Sequence, residues 1–206
     1  MEINLFKIKE KIDLEKTFYS QGYVLIAGVD EAGRGAIAGP VFASAVILPP
    51  DFKSSKIKDS KLLSPKKRER LFQFIQEVAI DYSIAYAEVE EINKKGISKA
   101  TFKAMQRALE NLKIKPQLVL IDGPQIISGY KNLQKAIVDG DNFCLSISAA
   151  SILAKVARDK YMEKISELYP QYEFWRHKGY ATKFHLEIIK KFGPCPIHRI
   201  YYKCFK

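Results

Sequence analysis

Cysteine, histidine and tryptophan are scarce in this 206-residue chain, at three, three and one. Cys144, Cys195 and Cys204 are odd in number and lack C-x-x-C spacing, which argues against a disulfide framework and a cysteine-based zinc site. His177, His185 and His198 show no zinc spacing among themselves or with the cysteines. Cysteines that are bystanders suit a reducing, cytoplasmic setting. No apolar run approaches the roughly 18–20 residues that span a bilayer, so no membrane association by a spanning segment is expected. The N-terminal stretch MEINLFKIKEKIDLEK is charged throughout, unlike a secretory signal. Repeats, low-complexity tracts and Gly/Ser linkers are missing too, and no position invites division of the chain in two. Acid is in deficit: 23 Asp and Glu face 34 Lys and Arg, a net charge of +11. That excess favours a polyanionic partner such as nucleic acid or an acidic membrane surface. A lysine-rich composition serving only solubility is the other reading.

What is present falls into strands and helices. Residues 1–22 form an amphipathic lead-in, with Leu5, Ile8, Ile12 and Leu14 near helical spacing. Tyr23–Asp30 reads as a buried strand and Gly39–Leu48 as its hairpin neighbour, ended by Pro49-Pro50. After a basic loop, Ser64-Pro65 is an N-cap followed by proline at the first helical position, opening a helix to about Ala79. Asp81–Glu90 alternates as a third strand. A helix from Ser98 places Phe102, Met105, Leu109 and Leu112 on one side. Gln117–Pro124 is a short apolar strand, and 135–141 a weaker one. Long helices follow over about Ser148–Leu168 and Thr182–Phe192. This order predicts an α/β fold, a mixed sheet antiparallel first and parallel later, flanked by helices.

Three apolar strand-like runs end in acid: at Asp30-Glu31, at Asp122, and at Asp139 or Asp141. Ligands of open α/β sheets gather beyond the carboxyl ends of strands. Side by side, these strands would bring their carboxylates together, where they would raise one another's pKa. Hard divalent cations remove that penalty, and an all-oxygen ligand set suits Mg²⁺ or Mn²⁺ rather than zinc. Such a pair of ions is the usual clamp for phosphodiester hydrolysis. The alternative is that each acid only marks a strand-to-turn boundary. Adjacent strand residues also point to opposite faces, so Asp30 and Glu31 can share a site only if the strand ends or bends there. Gly33-Arg34-Gly35 fits the glycine pattern of dinucleotide-binding folds through Ala38, but Gly39-Pro40 and a β-branched run follow where that motif needs a helix. The loop reads instead as a tight backbone cradle with Arg34 aimed at an anionic or hydroxylated group.

With GVDEAGRG and GPV, DSKLLSPKKRE (Asp59–Glu69), IDG (Ile121–Gly123), GD (Gly140-Asp141), SAASILAKVARD (Ser148–Asp159) and HKGYATKFH (His177–His185), the chain closely resembles bacterial ribonuclease HII. Six motifs in the family's order carry the resemblance. It implies a ribonuclease H-like mixed five-stranded sheet flanked by helices, with about 165–206 as a C-terminal helical appendage of one catalytic domain. It implies endonucleolytic cleavage of RNA in RNA–DNA hybrids and at single ribonucleotides in duplex DNA, by two Mg²⁺ or Mn²⁺ ions, leaving 3′-hydroxyl and 5′-phosphate ends. Asp30, Glu31, Asp122 and Asp141 would be the metal-binding catalytic carboxylates, with Asp139 in reserve. Gly33, Arg34 and Gly35 match the loop that meets the ribonucleotide, and Tyr180 the tyrosine that stacks at the ribose–deoxyribose junction. Reading the 2′-hydroxyl demands close backbone approach, which glycine permits. Ala181 stands where the family often has glycine, so it needs an unstrained φ. No long N-terminal substrate-binding domain precedes the first strand, which disfavours the sister enzyme ribonuclease HIII.

Lys61 in the DSK motif is a phosphate-contact candidate, or a solvated loop lysine. Ser151 and Lys155, four apart on one helix face, are candidates for the DNA backbone; a core-facing serine and a surface salt bridge are the alternatives. Arg158-Asp159 reads as capping or packing, His185 as a structural hydrogen-bond former, and Tyr172 and Trp175 as packing. The leading expectation is a monomeric two-metal endoribonuclease, with a replication-protein partner of unspecified identity as a further possibility. A resolvase- or transposase-like nuclease of the same fold, and a basic binding module without catalysis, are the competitors.

Overall fold

The computed structural model describes residues 14–54, 57, 64–202 and 205. Strands β1 (Ile26–Ala32), β2 (Val41–Ile47), β3 (Asp81–Ala87), β4 (Leu118–Asp122) and β5 (Gln134–Ile137) form one sheet in the order β3-β2-β1-β4-β5. The β3-β2-β1 half is antiparallel and the β1-β4-β5 half parallel, as the sequence predicts. The three acid-ended runs are therefore neighbours. Seven α-helices accompany the sheet among the described residues: α1 (Leu14–Ser20), α2 (Pro65–Val78), α3 (Val89–Lys95), α4 (Ile97–Glu110), α5 (Leu145–Leu168), α6 (Phe174–His177) and α7 (Lys183–Phe192). None of the described helices is long and apolar enough to cross a membrane.

The sheet is covered on both faces, which is why β1, β2 and β4 are apolar almost without alternation. Ala27, Val29, Ala43, Val119 and Ile121 pack on Ala104, Met105 and Ala108 of α4. On the other face Val46 meets Ala149, Ala150 and Leu153 of α5, and Ile26, Leu118 and Leu120 meet Ile147. At Gly28 the strand lies so close to α5 that an added Cβ would stand 2.2 Å from the Ser146 carbonyl carbon and 2.3 Å from the Ile147 nitrogen.

Several boundaries differ from expectation. The strand expected through Glu90 stops at Ala87, because Glu88 and Glu91 form a capping box that opens α3. Pro65 opens α2, yet the Ser64 side chain makes no capping bond. Helix α5 starts at Leu145, three residues before the expected Ser148, because Glu15 of α1 accepts from the Leu145 N–H (2.6 Å) and the Ser146 N–H (3.2 Å). The lead-in before Leu14 and Lys61 both fall outside the described residues.

Helices α6 and α7 pack around Met162 and Phe174. Tyr172 is buried there as expected, whereas Trp175 is 56% exposed and packs into nothing. His177, His185 and His198 are buried together, and their hydrogen bonds fix every tautomer. Gly179 N–H donates to His177 Nδ1 (3.2 Å), so Nε2 carries the proton and donates to the Tyr172 carbonyl (2.9 Å). His185 Nδ1–H donates to the Tyr180 carbonyl (2.9 Å), which leaves its Nε2 to accept from His198 Nε2–H (3.1 Å); His198 Nδ1 is then the acceptor for the Cys195 N–H (2.9 Å), although the Cys195 carbonyl lies 3.2 Å from the same atom. The structural role expected for His185 thus extends to all three.

Burial holds His185 and His198 at about 4, against roughly 6.5 in an unfolded chain. Between those values the unfolded chain binds more protons than the folded one, so stability falls on acidification, by up to about 1.4 kcal/mol per pH unit per histidine. Urea denaturation at pH 7.5 and 5 is expected to show that loss, with a shallower slope in His198→Asn. Equal stability at the two pH values would contradict the neutral triad.

Candidate active site

Register places the acids. Val29 of β1 pairs with Ile121 of β4, so the next residues, Asp30 and Asp122, are neighbours on the face that meets α5. Glu31 lies on the opposite pleat. Beyond Asp30, β1 keeps β2 as a partner through Ala32 but has lost β4. The strand ends on one side only, and Glu31 reaches the other acids across that open margin. Its charge and that of Asp122 both act on Asp30. Burial first, then Glu31 and Asp122, push the Asp30 carboxyl well above its ordinary range; a Ser151 hydrogen bond and the Glu31 N–H, 2.7 Å from Asp30 Oδ1, oppose the rise. Burial also raises Glu31, with Arg34, 3.5 Å away, pulling the other way.

Asp122 Oδ1 accepts from the Gly140 N–H at 2.7 Å, which ties it to the segment carrying the last acid. Strand β5 ends at Ile137, short of the Asp141 expected as its tip. Asp139 adopts a left-handed conformation (φ 53°) and starts a 3-10 turn, Gly140–Asn142, that leads into α5. Asp139 is exposed and Asp141 buried, with the Ser148 hydroxyl donating to the Asp141 carbonyl. The buried acid is the one that the family motif selects.

Among the described residues, no three acid, histidine or cysteine side chains form a ready metal-ligand cluster. The donor set nevertheless fits a divalent cation. Its ligands are all oxygen, and burial with mutual repulsion has left Asp30 short of compensating positive charge.

Beside the acids lies a cleft of about 260 Å³ lined by Glu31, Gly33, Arg68, Ser151, Lys155 and Tyr180 among others. Five of these were expected at the site and stand together there. Arg68, on α2, was not; its spacing in KKRER resembles any solvated basic helix turn. Lys155 pairs with Asp159 at 2.7 Å, the salt-bridge alternative, while its ammonium also lies 5.5 Å from the Tyr180 ring centre. Arg158 approaches the same ring at 5.4 Å. Ala181 has no positive φ, so the alanine is unstrained. A second cleft of about 260 Å³, lined by Glu15, Tyr19, Pro49 and Phe52 among others, contains none of Asp30, Glu31, Asp122 and Asp141.

No helix opens in the Gly33–Pro40 loop, the context that a dinucleotide-binding glycine pattern requires. Gly33 needs its φ of +90°, and a Cβ there would stand 1.9 Å from Arg158 Nε. The Ala36 N–H donates to Gly33, those of Ile37 and Ala38 to Gly179, and that of Gly39 to Ile197. The N–H groups of Gly33, Arg34 and Gly35 have no acceptor among the described residues.

Fold and site together define a metal-dependent hydrolase of the ribonuclease H class. A family profile described as Ribonuclease HII matches residues 27–205. A Ribonuclease HII of Caldicellulosiruptor bescii is 51% identical over 197 residues, covering 96% of this chain and 92% of its own. One from Idiomarina loihiensis is 55% identical over 175 residues, covering 85% and 93%. The crystal structure of the ribonuclease H2 from Pyrococcus horikoshii OT3 superimposes with a TM-score of 0.75 at 28% identity, covering 88% of this chain and 95% of that one. The chain belongs to the ribonuclease HII family.

Proposed function

We propose that this protein cuts the RNA strand of RNA–DNA hybrids and cuts at single ribonucleotides embedded in duplex DNA, leaving 3′-hydroxyl and 5′-phosphate ends. The observation that carries the reading is the row of backbone N–H groups at Gly33, Arg34 and Gly35, without an acceptor among the described residues, directly after Asp30 and Glu31, whose charges interact with that of Asp122. A 2′-hydroxyl accepting from that row is recognised without a side chain in the way, and it is the group that tells RNA from DNA.

Asp30, Glu31, Asp122 and Asp141 would hold the divalent ions, Mg²⁺ or Mn²⁺. When bound, a pair of such ions supplies an activated water and neutralises charge at the leaving oxygen. Ser151 orients Asp30 through its hydrogen bond. Arg68 and Lys155 line the cleft with positive charge for the phosphates, Arg34 adds its own 3.5 Å from Glu31, and the motif assigns Lys61 to the same task. Tyr180, with the Lys155 ammonium and the Arg158 guanidinium 5.5 and 5.4 Å from its ring centre, would offer its ring to the sugar at the junction. We read residues 1–206 as one catalytic unit acting as a monomer in the cytoplasm, with about 165–206 as an appendage whose end reaches back to the loop.

The test is incubation with an end-labelled DNA duplex bearing one ribonucleotide, in Mg²⁺, Mn²⁺ or EDTA. Scission is expected only with metal and only at the ribonucleotide, and the all-DNA duplex should stay intact. Equal cutting of the all-DNA duplex would favour a resolvase-like nuclease, and binding without cutting a non-catalytic module.

A further inference from the structure

The segment after α7 passes beneath the Gly33–Pro40 loop, and Arg199 is fully buried there. Its Nε donates to the Gly39 carbonyl (2.8 Å), Nη1 to those of Ala36 (2.6 Å) and Arg34 (3.1 Å), and Nη2 to that of Pro40 (3.1 Å). The Arg199 backbone N–H takes the Ile37 carbonyl at 2.8 Å, and the Tyr202 hydroxyl donates to Arg34 at 3.1 Å. Arg158, also fully buried, donates to Pro40 and Ala38, both at 3.1 Å. Neither guanidinium has a carboxylate among these partners.

That arrangement is costly. Burial and the neighbouring charge of Arg158 lower the Arg199 pKa to about 10, and buried charges are often outdone in stability by well-packed apolar groups. What an apolar side chain cannot do is converge several donors on separate carbonyls, and lysine, with three donors on a flexible stem, cannot match the fork. The carbonyls from Arg34 to Pro40, Gly35 apart, are thus taken by Arg199, Arg158 and Tyr202, while the N–H groups of Gly33, Arg34 and Gly35 take no part in that network and Gly33 itself lines the cleft.

We propose that Arg199 is a positioning residue for ribonucleotide recognition, holding the loop by its carbonyls so that these three N–H groups face the substrate sugar. The inference rests on the reading of the loop given under Proposed function. A single embedded ribonucleotide offers one 2′-hydroxyl, so its cleavage depends on the loop's placement more than cleavage of a continuous hybrid, whose sugars offer many.

Arg199→Lys separates this role from a merely structural one. Loss of folded protein lowers activity on both substrates by one factor, whereas a displaced loop changes their ratio. For the duplex with one ribonucleotide kcat/KM is expected to fall about a hundredfold. For a continuous RNA–DNA hybrid the fall should be about tenfold or less, the difference corresponding to roughly one charge-free hydrogen bond and its alignment. The Mn²⁺ dissociation constant should be unchanged. If Arg199→Lys fails to fold, Tyr202→Phe removes one bond to the same loop from a less buried position, and should shift the ratio in the same direction by about threefold. A ratio unchanged within about twofold in the variant that folds would overturn the proposal. Failure of the unaltered protein to cut either substrate would instead overturn the function from which it starts.

Discussion

Asp30→Asn is expected to lower cleavage by about a thousandfold or more and yet to raise the stability of the metal-free protein. Both effects come from one cause. Asp30 sits in the sheet against α5, with Glu31 and Asp122 acting on it, and its pKa is raised above its ordinary value. The folded state thus holds its proton more tightly than the unfolded chain. Above the ordinary carboxylate range this group subtracts from stability as it ionises, and the amide removes that cost while keeping the shape. For a domain of this size each kcal/mol relieved moves the melting midpoint by about 2–4 °C. Melting curves in EDTA should rise for the variant. Added Mn²⁺ should stabilise the unaltered protein, which it binds in the folded state, and should do so much less for Asp30→Asn. Cleavage at the unaltered rate would show that the charge at position 30 serves no ion, and a lower midpoint in EDTA would show that its burial costs the fold nothing.

The second large effect is on folding. Gly28→Ala should destabilise the protein by about 3 kcal/mol, because the new Cβ would lie 2.2, 2.3 and 2.4 Å from atoms of Ser146 and Ile147. Two of those three are backbone atoms, so no side chain can rotate away; strand and helix must part. That separation also draws Asp30, two residues along the same face, away from Ser151. Gly35→Ala is the control, since nothing lies within 4 Å of a Cβ there and its φ is not positive. Urea denaturation should shift for the first and not for the second. A Gly28→Ala midpoint equal to that of the parent would mean that β1 and α5 are not in such close apposition.

The sequence was most legible where a local rule coincided with the global answer. Apolar runs closed by Asp30-Glu31 and Asp122 were readable because buried parallel strands carry few polar residues before their ends, and register then set these acids side by side. The mixed sheet followed from the order of its elements. Less readable was everything decided by partners far away in the chain. Glu15 advances the start of α5 from 130 residues away, and no pattern near Leu145 announces it. Arg158 read as packing, which it is, but its partners are the carbonyls of Ala38 and Pro40. Arg68 looked like one more basic residue until the fold turned it toward Glu31 and Tyr180. The three histidines lacked metal spacing, and their use of one another as hydrogen-bond partners depends on a turn that only the tertiary structure creates. One miss was local: Glu88 and Glu91 stand at capping-box spacing inside a run whose alternation suggested a longer strand.

The seat of the Gly33–Pro40 loop lies 159 to 165 positions further along the chain, at Arg199. During synthesis the acid-bearing strands emerge long before the arginine that binds this loop by its carbonyls. A polypeptide broken off before position 199 would therefore retain its carboxylates but lack the guanidinium that seats the loop beside them. On the function proposed above, the acids that would cut are thus laid down earlier in translation than the support for choosing the cut.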